Sequence, residues 1–166
     1  MPLPHVIHLI DDTRPGGVMR VLDHIRNHGS ARARHELRVV TRGALTAPAL
    51  EADLIVSHLS VRWAGLPFLM GLRARNTARP ILHVEHSYTA GFVAHRVPAR
   101  GRFFTLLRTA YALFDRVVAV SAAQQDWLAA RGLVEPGRLT LLRSAVDVAP
   151  FLALPGIGAG PAWPAG

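Results

Sequence analysis

The sequence predicts an α/β fold of the Rossmann-like, doubly wound kind, with a mainly parallel sheet. Short apolar runs of strand length recur along the chain, and most are followed by turn residues and then by apolar residues at helical spacing. The runs are continuous rather than alternating, which is typical of parallel strands buried on both faces. Polar residues collect where the runs end, and in such sheets those ends carry the ligand-binding loops.

Length and composition predict one domain. The chain has 166 residues, half of them apolar, which suits a single core over residues 1–151. It has no cysteine, which excludes disulfides and thiolate metal sites and is typical of a reducing compartment. We see no secretory leader and no apolar run that could span a bilayer, so we expect a cytoplasmic protein, with peripheral contact at the inner face of the membrane left open.

The formal charge of +8 comes from arginine, because the sequence contains no lysine. The planar guanidinium suits phosphate, so a nucleotide or an anionic lipid head group is a compatible partner. A coding bias towards arginine is the alternative explanation. The arginines are scattered rather than clustered with exposed aromatic residues, so we expect no nucleic-acid partner.

The first predicted unit is a strand over residues 5–11, a turn over 11–17 and a helix that ends near 28–29. Gly16 and Gly17 stand where a helix begins, so their backbone can approach a phosphate or a sugar. The spacing lacks the third glycine of a dinucleotide fingerprint, which disfavours NAD. The alternative is a tight turn that needs glycine only for its geometry.

Three further strands are predicted over residues 36–41, 52–58 and 80–86. His58 and His86 end two of them, so both should lie with the 11–17 loop at the carboxyl edge of the sheet. The nine histidines show no metal-ligand spacing, so we predict no metal site. Between these strands lies a predicted helix whose apolar residues should face the core: Trp63, Leu66, Leu69, Met70 and Leu72.

The last units complete the pattern. Residues 89–101 are predicted to be a loop, and 102–114 a helix that is either buried or, alternatively, basic and amphipathic on an anionic membrane. A strand from 116 then runs into Ser121, the expected N-cap of a helix with Trp127 and Leu128 on its apolar side. That helix start can also hold an anion.

Residues 117–128 and 132–147 resemble the end of the N-terminal domain in retaining GT-B glycosyltransferases of the family 4 type. The second piece usually reads Asn-Gly-Val-Asp in that family, whereas this chain has Ser-Ala-Val-Asp at 144–147. The Gly16 and Gly17 loop is similar to the family's loop after the first strand.

The resemblance covers about residues 4–151 and implies the acceptor-side half of a GT-B enzyme. Such an enzyme moves a hexose from a nucleotide-sugar, used as co-substrate without a metal or other cofactor, to a glycan, lipid-linked or small-molecule acceptor. It implies that His86 is the catalytic residue that contacts the transferred sugar. Gly16, Gly17, His58 and Ser121 would bind substrate or the donor phosphates.

Residues 152–166 are rich in Pro, Gly and Ala, which predicts a linker or a disordered tail. In the resembling family a donor-binding domain would follow, so we expect this chain alone to be inactive. The alternative is a non-catalytic Rossmann-like binding module or a truncated remnant.

Overall fold

A computed structural model describes residues 2–29, 32–87 and 89–143. Six parallel strands form one sheet in the order β2-β1-β3-β4-β5-β6. The strands are β1 His5–Ile10, β2 Arg34–Val39, β3 Leu54–Ser57, β4 Ile81–Glu85, β5 Arg116–Ala119 and β6 Leu139–Leu141. The helices are α1 Gly17–Gly29, α2 Leu66–Arg75, α3 Thr89–Arg96, α4 Arg100–Ala112 and α5 Ala122–Ala130, with 3-10 turns at Trp63–Gly65 and Pro136–Arg138.

The sheet grows in both directions from β1, which confirms the doubly wound prediction. Val6 of β1 pairs with His35 of β2 on one side and with Leu54 of β3 on the other. The chain therefore changes direction between β1 and β3, and a crevice opens there at the carboxyl ends of the strands. That switch point is where the site lies.

The main core fills one face of the sheet. Ile7 and Leu9 of β1 belong to it, together with residues of α2, α4 and α5 that are almost fully buried. Because side chains alternate along a strand, His8 points to the opposite face, which α1 covers with the buried Leu22. Burial of each large apolar side chain contributes about 1.5–3 kcal/mol.

Helix α4 packs into this core, as the buried interpretation of the 102–114 helix predicts. Leu106, Leu107, Ala110 and Tyr111 are buried on it. The helix begins two residues earlier than the sequence indicates. Among the described residues, no helix is long and apolar enough to cross a membrane.

The prediction of a loop over 89–101 is wrong. Residues 89–96 form α3, and α4 begins at Arg100, so only a short connection around Pro98 is irregular. Gly91 and Pro98 lower the helical signal of this stretch. Thr89 and Val93, four residues apart, are nevertheless buried on one side of α3, and this tertiary contact outweighs the local preference.

The prediction that Trp63 and Met70 face the core is also wrong, since their exposed fractions are 43% and 56%. Trp63 lies in the 3-10 turn before α2, where the helical period does not apply. Within α2 the buried side is formed by Phe68, Leu69 and Leu72, and Met70 falls on the far side. The predicted features at residues 144–147 and 152–166 lie outside the described residues.

Candidate functional site

His58 and His86 meet at the carboxyl edge of the sheet, as the strand ends predict. His58 Nδ1 and His86 Nε2 are 2.8 Å apart, which is hydrogen-bond distance, and the rings stack at 5.1 Å. Both line a cavity of about 190 Å³ together with Asp11, Asp12 and Ser87. The backbone fixes this arrangement, because the His58 N–H donates to the Leu9 carbonyl (2.8 Å) and so continues the β1–β3 ladder past the end of β3.

Arginines from three loops pair with the two aspartates of this cavity. Arg42 Nη2 lies 3.0 Å from an Asp12 carboxylate oxygen, and its Nε donates to the Asp11 carbonyl at 3.1 Å. Arg62 pairs with the Asp11 carboxylate, and Arg14 with Asp12. Hydrogen bonds from Arg14 hold the pKa of Asp12 well below its usual range. Glu85 also lines the cavity, so these three guanidinium groups are balanced by three carboxylates.

Gly16 and Gly17 lie at the start of α1, beside the same cavity, which Val18 lines. Neither glycine has a positive φ, unlike Gly43 and Gly132. A Cβ placed at Gly17 would meet nothing within 4 Å, and one at Gly16 would meet only the Arg14 carbonyl oxygen at 3.8 Å. Local geometry therefore does not require glycine here, and the space above the helix start is open.

Ser121 is the N-cap of α5, as predicted, and its Oγ accepts from the Gln124 N–H at 3.2 Å. It is not among the described residues that line the cavity of His58 and His86. Its link to the site runs through Gln124, whose side chain donates to the Ser87 carbonyl (2.7 Å) and accepts from the Val120 N–H (2.8 Å). Gln124 thus ties α5 to the loop that carries His86.

A buried carboxylate, Glu85 at the end of β4, also lines the cavity. Glu85 accepts hydrogen bonds from the Tyr111 hydroxyl (2.7 Å) and from the Ser87 N–H (2.9 Å). Burial by itself raises the pKa of Glu85, but His83 and these hydrogen bonds outweigh it and the pKa falls to about 2. Burial and the adjacent carboxylate raise the pKa of Tyr111. Glu85 is therefore ionised at neutral pH.

A row of imidazoles extends from the site across the sheet. His8 of β1 lies 3.0 Å from His58 (Nδ1 to Nε2) and 3.0 Å from His35 of β2 (Nε2 to Nδ1). Burial is the main cause that lowers the pKa of His8 and of His86 to about 4 and that of His58 to about 2. These three histidines are neutral at pH 7. Within the described residues, no three His, Asp or Glu side chains are grouped to hold a metal ion.

A second, larger cavity of about 710 Å³ adjoins the first and shares Ser60, Glu85 and Ser87 with it. Its walls are mostly apolar and come from α3, α4 and the turn before α2. The exposed Phe92 lines it, as does Trp63, over whose ring the guanidinium of Arg102 lies at 5.2 Å.

Several site residues were missed by the sequence interpretation. Arg42 and Arg62 follow the ends of β2 and β3, so their position in the chain was a usable signal. His8 and His35 lie inside strands, where a lone histidine in a buried run carries no signal of its own. The contact between Gln124 and Ser87 depends on tertiary packing alone.

The fold and the site define a class of protein: a Rossmann-like α/β domain with a histidine-lined cleft at the switch point of its sheet. The family model for Glycosyltransferase Family 4 matches residues 48–149, more than half of the chain. The chain belongs to this family and is a glycosyltransferase domain, which confirms the resemblance. The matched segment contains His58, His86 and Ser121. A comparison with curated proteins finds no match.

Proposed function

We propose that this chain is the acceptor-side domain of a retaining hexosyltransferase that uses a nucleotide-sugar as donor. The observation that carries the proposal is the His58–His86 pair, which lies beside the open start of α1 in one cavity. A helix start offers unpaired N–H groups and a partial positive charge, both of which suit a diphosphate. His58 holds His86 through the Nε2 atom of His86, which leaves the His86 Nδ1 free to hydrogen-bond a sugar hydroxyl.

The expected chemistry is electrostatic. As the bond from sugar C1 to the diphosphate oxygen breaks, negative charge grows on the leaving group. The amides of Gly16 and Gly17 at the start of α1 would supply positive potential for that charge, and Arg42, which lines the cavity and is paired with Asp12, would add to it. His86 is neutral at pH 7, so it would orient the sugar by hydrogen bonding rather than by charge.

The larger cavity is the proposed acceptor site. It joins the smaller cavity lined by His58 and His86, the proposed sugar cavity, through Glu85 and Ser87. Its apolar walls would take the apolar part of an acceptor. Arg96 and Arg102 line it too and could pair with an anionic group. Among glycan, lipid-linked and small-molecule acceptors, this combination favours a lipid-linked one.

Calorimetric titration with UDP, GDP and their glucose and mannose conjugates tests the proposal. We expect weak binding of at least one nucleotide and its loss in His86→Ala. His95→Ala, a change at an exposed histidine of α3, is the matched control and should bind as the unchanged chain does. A chain that melts cooperatively but binds none of the four ligands would instead support a non-catalytic binding module.

A further inference from the structure

We propose that His35, His8, His58 and His86 form a proton relay across the sheet, from the sugar cavity to a separate surface pocket. The four residues come from four adjacent elements: β2, β1 and the residues just after β3 and β4. Three ring-to-ring contacts of 3.0, 3.0 and 2.8 Å join them in order.

Both ends of the row reach cavities. His86 is half-buried and lines the sugar cavity. His35 is also half-buried and lines a pocket with Arg26 and Arg34, on the far side of β1 from β3. The middle of the row, His8 and His58, is buried. His58 also lines the sugar cavity, but both ring nitrogens of His8 and of His58 are bonded to neighbouring rings, so free ring nitrogens are left only at the two ends.

The bonding pattern restricts the row to two arrangements. A neutral imidazole has one N–H donor and one acceptor nitrogen, and each contact needs one of each. If His35 donates from Nδ1, every ring must carry its proton on Nδ1, and His86 presents an Nδ1–H donor to the cavity. If His35 accepts at Nδ1, every ring must carry its proton on Nε2, and His86 presents a bare Nδ1. Whether the Nδ1 of His86 is a donor or an acceptor thus depends on whether His35 donates or accepts.

The charged and titratable groups around the row keep it neutral rather than break it. Near His8, burial, His35 and Arg26 all disfavour a second proton. Near His86, Glu85 favours a proton, but burial and His83 outweigh it. The other groups that line the cavities at the two ends are Asp11, Asp12, Arg42, Arg26 and Arg34.

The role of the relay rests on the proposed function. In glycosyl transfer the acceptor O–H bond breaks, its oxygen bonds to sugar C1, and the C1–O bond to the diphosphate breaks, so that the electron pair leaves with the nucleotide. The proton passes to the bare Nδ1 of His86. Each ring then hands its Nε2 proton to the next, and His35 releases one proton from Nε2 into its pocket. The row ends in the all-Nδ1–H arrangement, with protons balanced.

The test fixes residue 35 as either a hydrogen-bond donor or an acceptor and measures the tautomer of His86. Lysine can only donate and an aspartate carboxylate can only accept, so His35→Lys and His35→Asp should select opposite arrangements. Long-range proton–nitrogen NMR spectra of the full chain, at mildly alkaline pH, distinguish the tautomers. We expect His86 to be protonated on Nδ1 in His35→Lys and on Nε2 in His35→Asp, with at least about a tenfold change in their ratio.

The control places the same charges on another histidine. His95→Lys and His95→Asp, on exposed α3, should leave the His86 tautomer unchanged. An identical His86 tautomer in both folded His35 variants would overturn the relay. So would the absence of nitrogen–nitrogen coupling between His8 and His58 in the unchanged chain, a measurement that needs no variant. Nucleotide binding is no part of this readout, so the proposed function can fail while the relay stands.

Discussion

Tyr111 and Glu85 place a charge inside the core beneath the cleft. The carboxylate is 6% exposed, yet it keeps a low pKa because the Tyr111 hydroxyl, the Ser87 N–H and His83 surround it. A buried carboxylate that loses one of its donors is left partly unpaired, which is costly. Its hydrogen bonds also fix the backbone of Ser87, next to His86.

We therefore expect Tyr111→Phe to lower the free energy of unfolding by about 1.5–3 kcal/mol at pH 7, because one hydrogen bond to a charged group is lost. Urea denaturation measures the change. The folded-state pKa of Glu85 lies below the unfolded value, so the stability contributed by this ionised carboxylate is lost as pH falls from about 4.5 towards 2. The difference between variant and wild type should narrow over that range; an unchanged difference at pH 3 would contradict this explanation.

At this scale the sequence predicts only part of the site. His58 and His86 could be identified because they end strands that must share an edge. His8 and His35 could not, because register determines which residues face each other, and register follows from packing. Ser121 was correctly predicted as a cap, while its predicted contact with substrate stays a prediction.

Helix α5 begins with a cap that also braces the site. Ser121 Oγ accepts from the Gln124 N–H, and the Gln124 side chain holds the Ser87 carbonyl. We expect Ser121→Ala to reduce the free energy of unfolding by about 1 kcal/mol, since a helix N–H loses its acceptor. Ser121→Asp keeps an acceptor and is the control in the same denaturation experiment. Equal stability of the alanine and aspartate variants would show that the cap contributes little.

A substitution at the start of helix α1 should change stability and nucleotide binding in opposite directions. Gly17 does not have a positive φ, and a Cβ there would meet no neighbouring atom. Gly17→Ala should therefore raise the free energy of unfolding by about 0.4–1 kcal/mol, because alanine lowers the conformational entropy of the unfolded chain. If a diphosphate approaches the helix start, the same methyl group should weaken nucleotide binding. Denaturation and calorimetry on the one variant test both. Greater stability with undiminished binding would remove the α1 start from the proposed donor site.

The sequence predicts helices and strands correctly where the apolar pattern is strong. It fails where contacts with other parts of the chain determine the structure. The five predicted strand positions and the β1–turn–α1 unit follow from continuous apolar runs. Helix α3 was missed because Gly91 and Pro98 weaken its local signal, while the burial of Thr89 and Val93 that stabilises it is a tertiary contact. For the same reason Met70 was assigned to the wrong side of α2.

For the whole molecule, the histidine row makes folding sensitive to acid. Unfolded histidines take a proton near pH 6.5, whereas His8 and His86 in the folded chain stay neutral down to about 4 and His58 to about 2. Between pH 6.5 and these lower pKa values, the unfolded state binds more protons than the folded state. The free energy of unfolding should therefore fall as pH drops from about 6.5 to 4, by about 1.4 kcal/mol per pH unit for each of the three histidines.

Urea denaturation at a series of pH values measures this slope. His58→Gln keeps a hydrogen-bonding side chain but cannot take the proton, so it should reduce the slope by about one third. His95→Gln, at an exposed position, is the control. A stability that stays flat from pH 7 to 4.5 would show that the row is already charged in the folded chain.

The row of imidazoles also depends on long-range assembly, because its four members come from parts of the chain that are 27, 50 and 28 residues apart. It is complete only when the edge strand β2 is docked on β1. Local opening of that edge would break the His8–His35 contact first and leave the other two intact. The nitrogen–nitrogen couplings therefore report whether neighbouring strands are paired. The order in which the couplings disappear on heating or denaturation would give the order in which the strands separate.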